Sequence, residues 1–348
     1  MKRNTIIENL SLSEPASLVA LYAEANAVKT STIGNNVYLR GLIEFSNICC
    51  KNCYYCGIRS DNKEVNRYEL SDEEVLDAVK FAWENRYGSV VLQSGEQQST
   101  HFTERITRLL HEIKVSTNNE IGITLSCGEQ TAETYKEWYK AGAHRYLLRI
   151  ETSSRELYSK LHPNDTRHSY DARLEAIRLL REEGYQVGTG VMIGLPFQTI
   201  DNLADDLLFF QSMNIDMVGM GPYLEHSQTP LYRYRNFLLP PEKRLELALK
   251  MVATLRLLMP DINIAATTAL QVLHPEGREM AVFAGANIIM PNITLTKFRS
   301  DYLIYEHKPN VNDDAAISKS KLEQTLQTSG ITIGYSEWGD SKHFRHKT

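Results

Sequence analysis

Short apolar runs alternate with amphipathic stretches along most of the chain. Val37-Tyr-Leu-Arg-Gly-Leu-Ile-Glu-Phe45 has the brief β-rich character of a strand. Ser71-Asp-Glu-Glu74 then reads as a capping box, opening a helix with Val75, Ala78, Val79 and Ala82 on one face. Gly88 breaks that helix, and Ser89-Val-Val-Leu-Gln93 predicts the next strand. The alternation continues. Strands are predicted at Ile121–Leu125, Arg145–Ile150, Tyr185–Met192, Asp216–Met220, Ile262–Ala266 and Asn287–Met290, with helical sequence between them.

Eight strand candidates separated by helices imply parallel pairing with right-handed crossovers. Both faces of such strands are covered, which suits continuous short apolar runs. An even eight at this length predicts a closed (β/α)₈ TIM-type barrel, an α/β fold, over residues 37–306. Residues 1–36 predict a helical extension: Leu18, Leu21, Tyr22 and Ala25 recur at helix spacing, and Ser17 is a candidate cap. Residues 307–348 are polar, with one helix expected around 318–329. This tail is expected to pack over the barrel exterior or to fray.

Composition narrows the class. The 348 residues carry a net charge of −5, which gives no general attraction to nucleic acid or to an anionic membrane. No run of about 18 apolar residues is present, and the N-terminus lacks the apolar core of a signal peptide. Five cysteines, mostly clustered, do not make a disulfide framework. A reducing cytoplasm is the expected compartment.

The clustering carries the chemistry. Phe45-Ser-Asn-Ile-Cys-Cys-Lys-Asn-Cys-Tyr-Tyr-Cys-Gly57 sets Cys49, Cys53 and Cys56 in a C-x₃-C-x₂-C spacing. Three soft thiolates suit a [4Fe–4S] cluster with one iron left open to a substrate or cofactor. A structural zinc site would need a fourth ligand, from His101 or His111. Buried core thiols would not be expected around Lys51 and Asn52 on a polar loop. Cys50 breaks the spacing and reads as a bystander. Cys127, just past the third strand, fits a cavity lining or a small buried residue equally well.

The cysteine spacing, with Tyr55 immediately before the last cysteine, resembles the signature of radical S-adenosylmethionine (SAM) enzymes. Val91-Leu-Gln-Ser-Gly-Glu96, Tyr146-Leu-Leu-Arg-Ile-Glu-Thr152, Gly194-Leu-Pro, Ala266-Thr-Thr-Ala269 and Gly285-Ala-Asn-Ile-Ile-Met-Pro291 extend the likeness. Within the biotin-synthase-like branch, these segments are similar to those of [FeFe]-hydrogenase maturases. The resemblance implies one cluster held by Cys49, Cys53 and Cys56, with SAM on its open iron. An electron from the cluster would cleave SAM to methionine and a 5′-deoxyadenosyl radical. The implied task is assembly of the hydrogenase diiron subcluster. Its substrate would be a small molecule or small iron complex, and other maturases would be transient partners.

The same resemblance distributes roles around the barrel mouth. Tyr55, Glu96, Arg149, Glu151, Arg173 and Met192 become cofactor-binding candidates. Glu96 would meet the amino group, Glu151 the ribose or amino group, the arginines the carboxylate, and Met192 the adenine. Gln93, Thr124, Thr267, Thr268, Met290, Tyr302 and Tyr305 would line the substrate cavity, the two tyrosines one helical turn apart. Bland readings stand beside these. Arg149 and Glu151 could form a structural ion pair, Thr267 and Thr268 could satisfy backbone groups, and methionines at strand ends are commonly core. No cysteine follows Cys127, so a second cluster is not expected. Two other functions share these features: a methylornithine-synthase-like mutase, and a non-catalytic iron–sulfur electron-transfer or scaffold protein. An uncharged cavity lining is expected to disfavour the mutase.

Overall fold

The computed structural model describes residues 1–345. Eight parallel strands close into a barrel: β1 (Asn36–Ser46), β2 (Ser89–Ser94), β3 (Gly122–Ser126), β4 (Arg145–Leu147), β5 (Gln186–Thr189), β6 (Met217–Val218), β7 (Asn263–Ala266) and β8 (Ile288–Ile289). Closure is direct, since Tyr38 and Leu39 of β1 pair with Ile288 and Ile289 of β8. A short parallel pair, Met192–Ile193 with Gly221–Pro222, extends the wall above β5 and β6.

Local chemistry explains the punctuation between strands. In the helix Asp72–Glu84, the Ser71 hydroxyl accepts from Glu74 N at 3.2 Å while the Glu74 carboxylate accepts from Ser71 N at 3.0 Å. This reciprocal cap satisfies two otherwise orphaned donors. Thr131 and Ser154 cap later helices in the one-sided form. The register between β1 and β2 shifts between Glu44 and Ser46, just before the cysteine loop. A bulge there bends the strand end and aims the loop over the barrel mouth.

The N-terminal extension forms α1 (Arg3–Ser11) and α2 (Pro15–Ile33). Glu14, not Ser17, caps α2: its carboxylate accepts from Ser17 N at 2.7 Å, with Pro15 at the first helical position. α2 lies along the helix Pro241–Leu258, and its buried Lys29 donates to Val282 O at 3.0 Å.

The tail departs from expectation. Its helix spans Ala315–Thr328, close to the predicted range, but residues 332–341 neither fray nor lie on the outer wall. β9 (Thr332–Ile333) pairs with the first residues of β1, and Trp338–Ser341 crosses the barrel floor. There Gly339 O accepts from Arg40 at 3.0 Å and from Asn263 at 2.8 Å, and Asp340 takes Arg145 at 2.7 Å. The polar composition that looked like solvent exposure instead satisfies polar groups at the strand starts. No structural break falls at residue 306, because Lys308 turns back into the barrel mouth.

Candidate active site

Every barrel strand ends at the opposite face, where a cavity of about 340 Å³ opens. The cysteine loop leaves β1 and folds over it, held almost wholly by backbone groups. Arg67 gathers four carbonyls, those of Asn47, Ile58, Arg59 and Asn62, at 2.7 to 3.2 Å. His168 accepts from Asn52 N at 2.8 Å through Nε2, while its Nδ1 meets Asp165 at 2.7 Å, which fixes the tautomer. Cys49, Cys53 and Cys56 all line the cavity. Gly95 has no room for a side chain, since a Cβ there would strike Ile48 O and Cys49 Cβ. That close approach lets Glu96 N donate to Cys49 Sγ at 3.3 Å.

The thiols are poor acids in this setting. Burial pushes Cys53 up to about 12 and Cys56 well above the ordinary range; burial also raises Cys49. A metal centre must supply the charge that deprotonates them. Among the described residues no three His, Cys, Asp or Glu side chains converge on a single ion. A cubane instead binds each thiolate to a different iron, so its ligands need not share one point. His101 and His111 occupy exposed positions on the helix Thr100–Ser116.

Beside the loop lies a buried network of two cations and two carboxylates. Lys51 sits 3.1 Å from Glu96 and 3.0 Å from Glu129, and Arg173 sits 2.6 Å from Glu129 and 3.4 Å from Glu96. Burial pushes the Glu96 carboxyl up against the pull of Arg173 and Lys51. For Arg173, burial opposes the charge, but Glu129 and Glu96 outweigh it and hold the pKa well above normal. Two of these contacts are hydrogen bonds, Lys51 to Glu129 and Arg173 to Glu96, and two are ionic only: Glu96 Oε1, Glu129 Oε1 and Arg173 Nε lack hydrogen-bond partners. Buried polar atoms left short of partners fit a ligand that brings both an ammonium and a carboxylate. Gly128, at φ +75°, keeps the chain clear of the Glu96 side chain.

Across the cavity, Arg149 grips Glu151 with two hydrogen bonds of 2.8 Å and also donates to Val191 O and Gly219 O. Four donated bonds leave the guanidinium little capacity for anything else. These contacts hold Glu151, which has a φ of +67° and lines the cavity together with Arg149. Met192 packs with Leu157, Leu161 and Tyr223, and Tyr55 lies against the same cluster.

Of the expected cavity residues, Gln93, Thr267, Thr268, Met290, Tyr302 and Tyr305 do line the space. Thr124 does not. It lies one layer lower, accepting from Arg145 Nε at 2.9 Å beside a separate void of about 20 Å³. The two tyrosines are not on a helix, because Thr296–Arg299 is the last helical turn before them. Sequence reasoning passed over four residues. Lys51 was visible within the cysteine loop, and Glu129 follows β3 as Glu96 follows β2. Glu44 and Lys308 form a buried pair in the cavity wall at 2.5 Å, with Lys308 5.3 Å above the Tyr302 ring. The lining is therefore not uncharged.

The Radical SAM superfamily model matches residues 43–210, from the second half of β1 to the helix Ile200–Ser212. A [FeFe] hydrogenase maturase subunit HydE from Thermotoga maritima is 43% identical over 98% of this chain and 94% of its own length. The chain belongs to the radical SAM superfamily. A 3-methylornithine synthase from Methanosarcina acetivorans is 30% identical over 80% of this chain and 76% of its own. The crystal structure of methylornithine synthase superposes with a TM-score of 0.80, at 26% identity, over 96% of this chain and 94% of that one. As a radical SAM enzyme, the protein works with a [4Fe–4S] cluster and SAM. Together these supply one-electron reductive cleavage of SAM to methionine and a 5′-deoxyadenosyl radical. No described helix is long and apolar enough to cross a membrane.

Proposed function

We propose that this radical SAM enzyme acts in assembly of the [FeFe]-hydrogenase diiron subcluster, on a small molecule or small iron complex exchanged with other maturases. The observation that carries this reading is the 43% identity to HydE across nearly the full length of both chains. Cys49, Cys53 and Cys56 hold the cluster. Glu96, supported by Lys51, takes the amino group of SAM, and Arg173 takes its carboxylate. Glu151, oriented by Arg149, faces the ribose or amino group, while Met192 and Tyr55 pack beside the adenine. The substrate occupies the space between Gln93, Thr267, Thr268, Met290, Tyr302 and Tyr305. The overlying cysteine loop covers that space, which shields a radical formed there.

The decisive experiment is complementation. A host carrying an [FeFe]-hydrogenase and every maturase except its HydE should regain hydrogenase activity when supplied with this gene. Inactive hydrogenase alongside normal SAM cleavage would sink the reading. A second reading has support from the Glu44–Lys308 pair, because charged groups in the cavity suit an amino-acid substrate. If it is right, the purified enzyme in cell extract will accumulate 3-methylornithine in a SAM-dependent way.

A further inference from the structure

One buried acid lies outside the cavity lining and still holds the chain beside it. Asp206, on the helix Ile200–Ser212, is wholly buried. Its Oδ1 accepts from Ser153 N and Ser153 Oγ, each at 2.6 Å, and from Thr152 Oγ1 at 3.5 Å. Its Oδ2 has no hydrogen-bond partner. The bonding is thus aimed at one turn, the one that follows Glu151. Burial raises the Asp206 pKa to about 7, while the bonds from Ser153 and Thr152 pull it down. A neutral serine or asparagine could cap a turn without burying an unpaired carboxylate oxygen. What the carboxylate adds is strength, since bonds to an ionised acceptor are roughly twice as strong as neutral ones.

The turn joins two parts of the site. Glu151 donates from its N–H to Gly190 O at 2.9 Å and accepts at its carbonyl from Met192 N at 3.1 Å. Its φ of +67° is a conformation that residues with side chains keep only where their surroundings enforce it. Arg149 grips the carboxylate end of Glu151, but that grip does not fix the backbone. The residues that follow do. Tyr170 donates from its hydroxyl to Ser153 O at 2.6 Å, so the N–H, hydroxyl and carbonyl of Ser153 are all held. Beyond it, Ser154 caps the helix Arg155–Leu161, accepting from Leu157 N at 3.3 Å. At the far end of that helix Leu161 O accepts from Tyr54 N at 2.9 Å, between Cys53 and Cys56. One carboxylate therefore stands behind both Glu151 and a helix that ends on the cysteine loop.

We propose that Asp206 is a positioning residue for SAM: through the Ser153 turn it keeps Glu151 in the left-handed conformation in which that residue lines the cavity. The proposal rests on the reading that Glu151 faces SAM. Asp206 itself touches no cofactor and acts only through the backbone it anchors.

The test is a double-variant cycle on the cluster-loaded enzyme, reading SAM affinity by equilibrium dialysis beside urea unfolding. Asp206→Asn keeps the size of the side chain and removes its charge; it should weaken SAM binding at least about fivefold. Glu151→Gln should weaken it as well. In the Glu151→Gln background, Asp206→Asn should add less than about twofold, because the contact it serves is already lost. Asp205→Asn removes the same charge from the same helix, where it pairs with Arg3 at the surface, and should leave SAM affinity unchanged. A purely structural role would lower stability in Asp206→Asn and weaken SAM binding equally in both backgrounds. Such additive losses would overturn the proposal, and so would unchanged affinity in Asp206→Asn beside a weakened Glu151→Gln. Unchanged affinity in Glu151→Gln would instead overturn the reading of Glu151, and the proposal with it. If Asp206→Asn does not fold, Tyr170→Phe loosens Ser153 from its other side, at a half-buried position, and the same cycle applies.

Discussion

The two mouths of the barrel both bury arginines, and they treat them in opposite ways. At the upper mouth Arg149 and Arg173 face Glu151, Glu96 and Glu129, and these carboxylates hold both guanidiniums above their ordinary pKa against burial. At the lower mouth Arg40 and Arg145 lie close together, and burial lowers both, Arg145 to about 10. Their partners there include carbonyls of the tail, the Thr124 hydroxyl, the Met217 sulfur and one carboxylate, Asp340. Both ends leave guanidinium nitrogens without hydrogen bonds, Arg173 Nε above and Arg40 Nε and Arg145 Nη2 below. The upper one also leaves carboxylate oxygens of Glu96 and Glu129 without them, which a cationic group of a ligand can take up. The lower one is a seal. It lays Trp338–Ser341 across the strand starts behind the cavity.

The largest effect that separates the two ends should come from the cysteine loop. Cys53→Ser is expected to remove the iron–sulfur absorbance and all SAM cleavage while leaving the barrel folded. Cys50→Ala should keep both, because Cys50 lies outside the three-thiolate spacing. Iron and sulfide per chain, read beside 5′-deoxyadenosine yield, give the answer; a Cys53→Ser protein that still cleaves SAM would remove that residue from the ligand set.

How much of this was readable beforehand differs between the mouths for a physical reason. The upper mouth is built from strand ends, where the barrel rule places functional groups; the cysteines showed there by their spacing, and Glu96 and Glu151 by the family resemblance. Glu129 obeys the same rule, but neither a spacing nor the family segments single it out. Depth along the axis is another matter. Thr124 pairs in register with Arg145, which sets it low in the barrel, and no periodicity of two reports register. The tail was least legible. Its glycine and carbonyl contacts to Arg40 and Asn263 are backbone interactions, and composition carries no trace of them. Lys308 shares that fate, since only the fold brings it 2.5 Å from Glu44.

The next prediction breaks the floor. Asp340→Asn strips the carboxylate from a fully buried Arg145, and uncompensated buried charges of this kind cost about 3 kcal/mol. Urea denaturation of the apoprotein should show this loss, while SAM affinity of folded protein stays within about twofold, an interaction of less than 0.5 kcal/mol. A variant as stable as the parent would mean that backbone carbonyls alone hold the plug.

Glu96→Gln makes the matching change above. The amide cannot serve as an anion for an ammonium, so SAM binding should weaken by roughly 2 kcal/mol, about thirtyfold. Stability should fall less than in Asp340→Asn, because Glu129 remains to pair with both Lys51 and Arg173. Equilibrium dialysis with labelled SAM measures the first effect and denaturation the second. Equal losses of stability in the two variants would erase the proposed distinction between an exchange site and a seal.

Acid should find the floor by a smaller margin. His144 is packed 4.6 Å from the Trp338 ring and 3.2 Å from Asp340, and burial, with Arg145 adding to it, lowers its pKa to about 4. An unfolded histidine protonates near 6.5, so between these values the unfolded chain binds the extra proton and stability falls as pH falls. Asp340 is depressed as well, by His144 and Arg145 against burial, so its stabilisation is lost only in stronger acid, below the ordinary carboxylate range. His162 at the upper mouth is lowered to about 3 by burial and has the same sign, which is why global stability alone cannot locate the effect. Replacing His144 with Gln removes one of several contributions, since burial lowers His226 as well and raises Asp206 to about 7, the latter adding stability as pH falls. The difference in unfolding free energy between pH 7 and pH 5 should then shrink by about 1–2 kcal/mol relative to the parent. Trp338 lies against His144 and should report the floor through its fluorescence. If the pH dependence is unchanged in His144→Gln, acid acts on the upper mouth, and the floor is the more robust of the two ends.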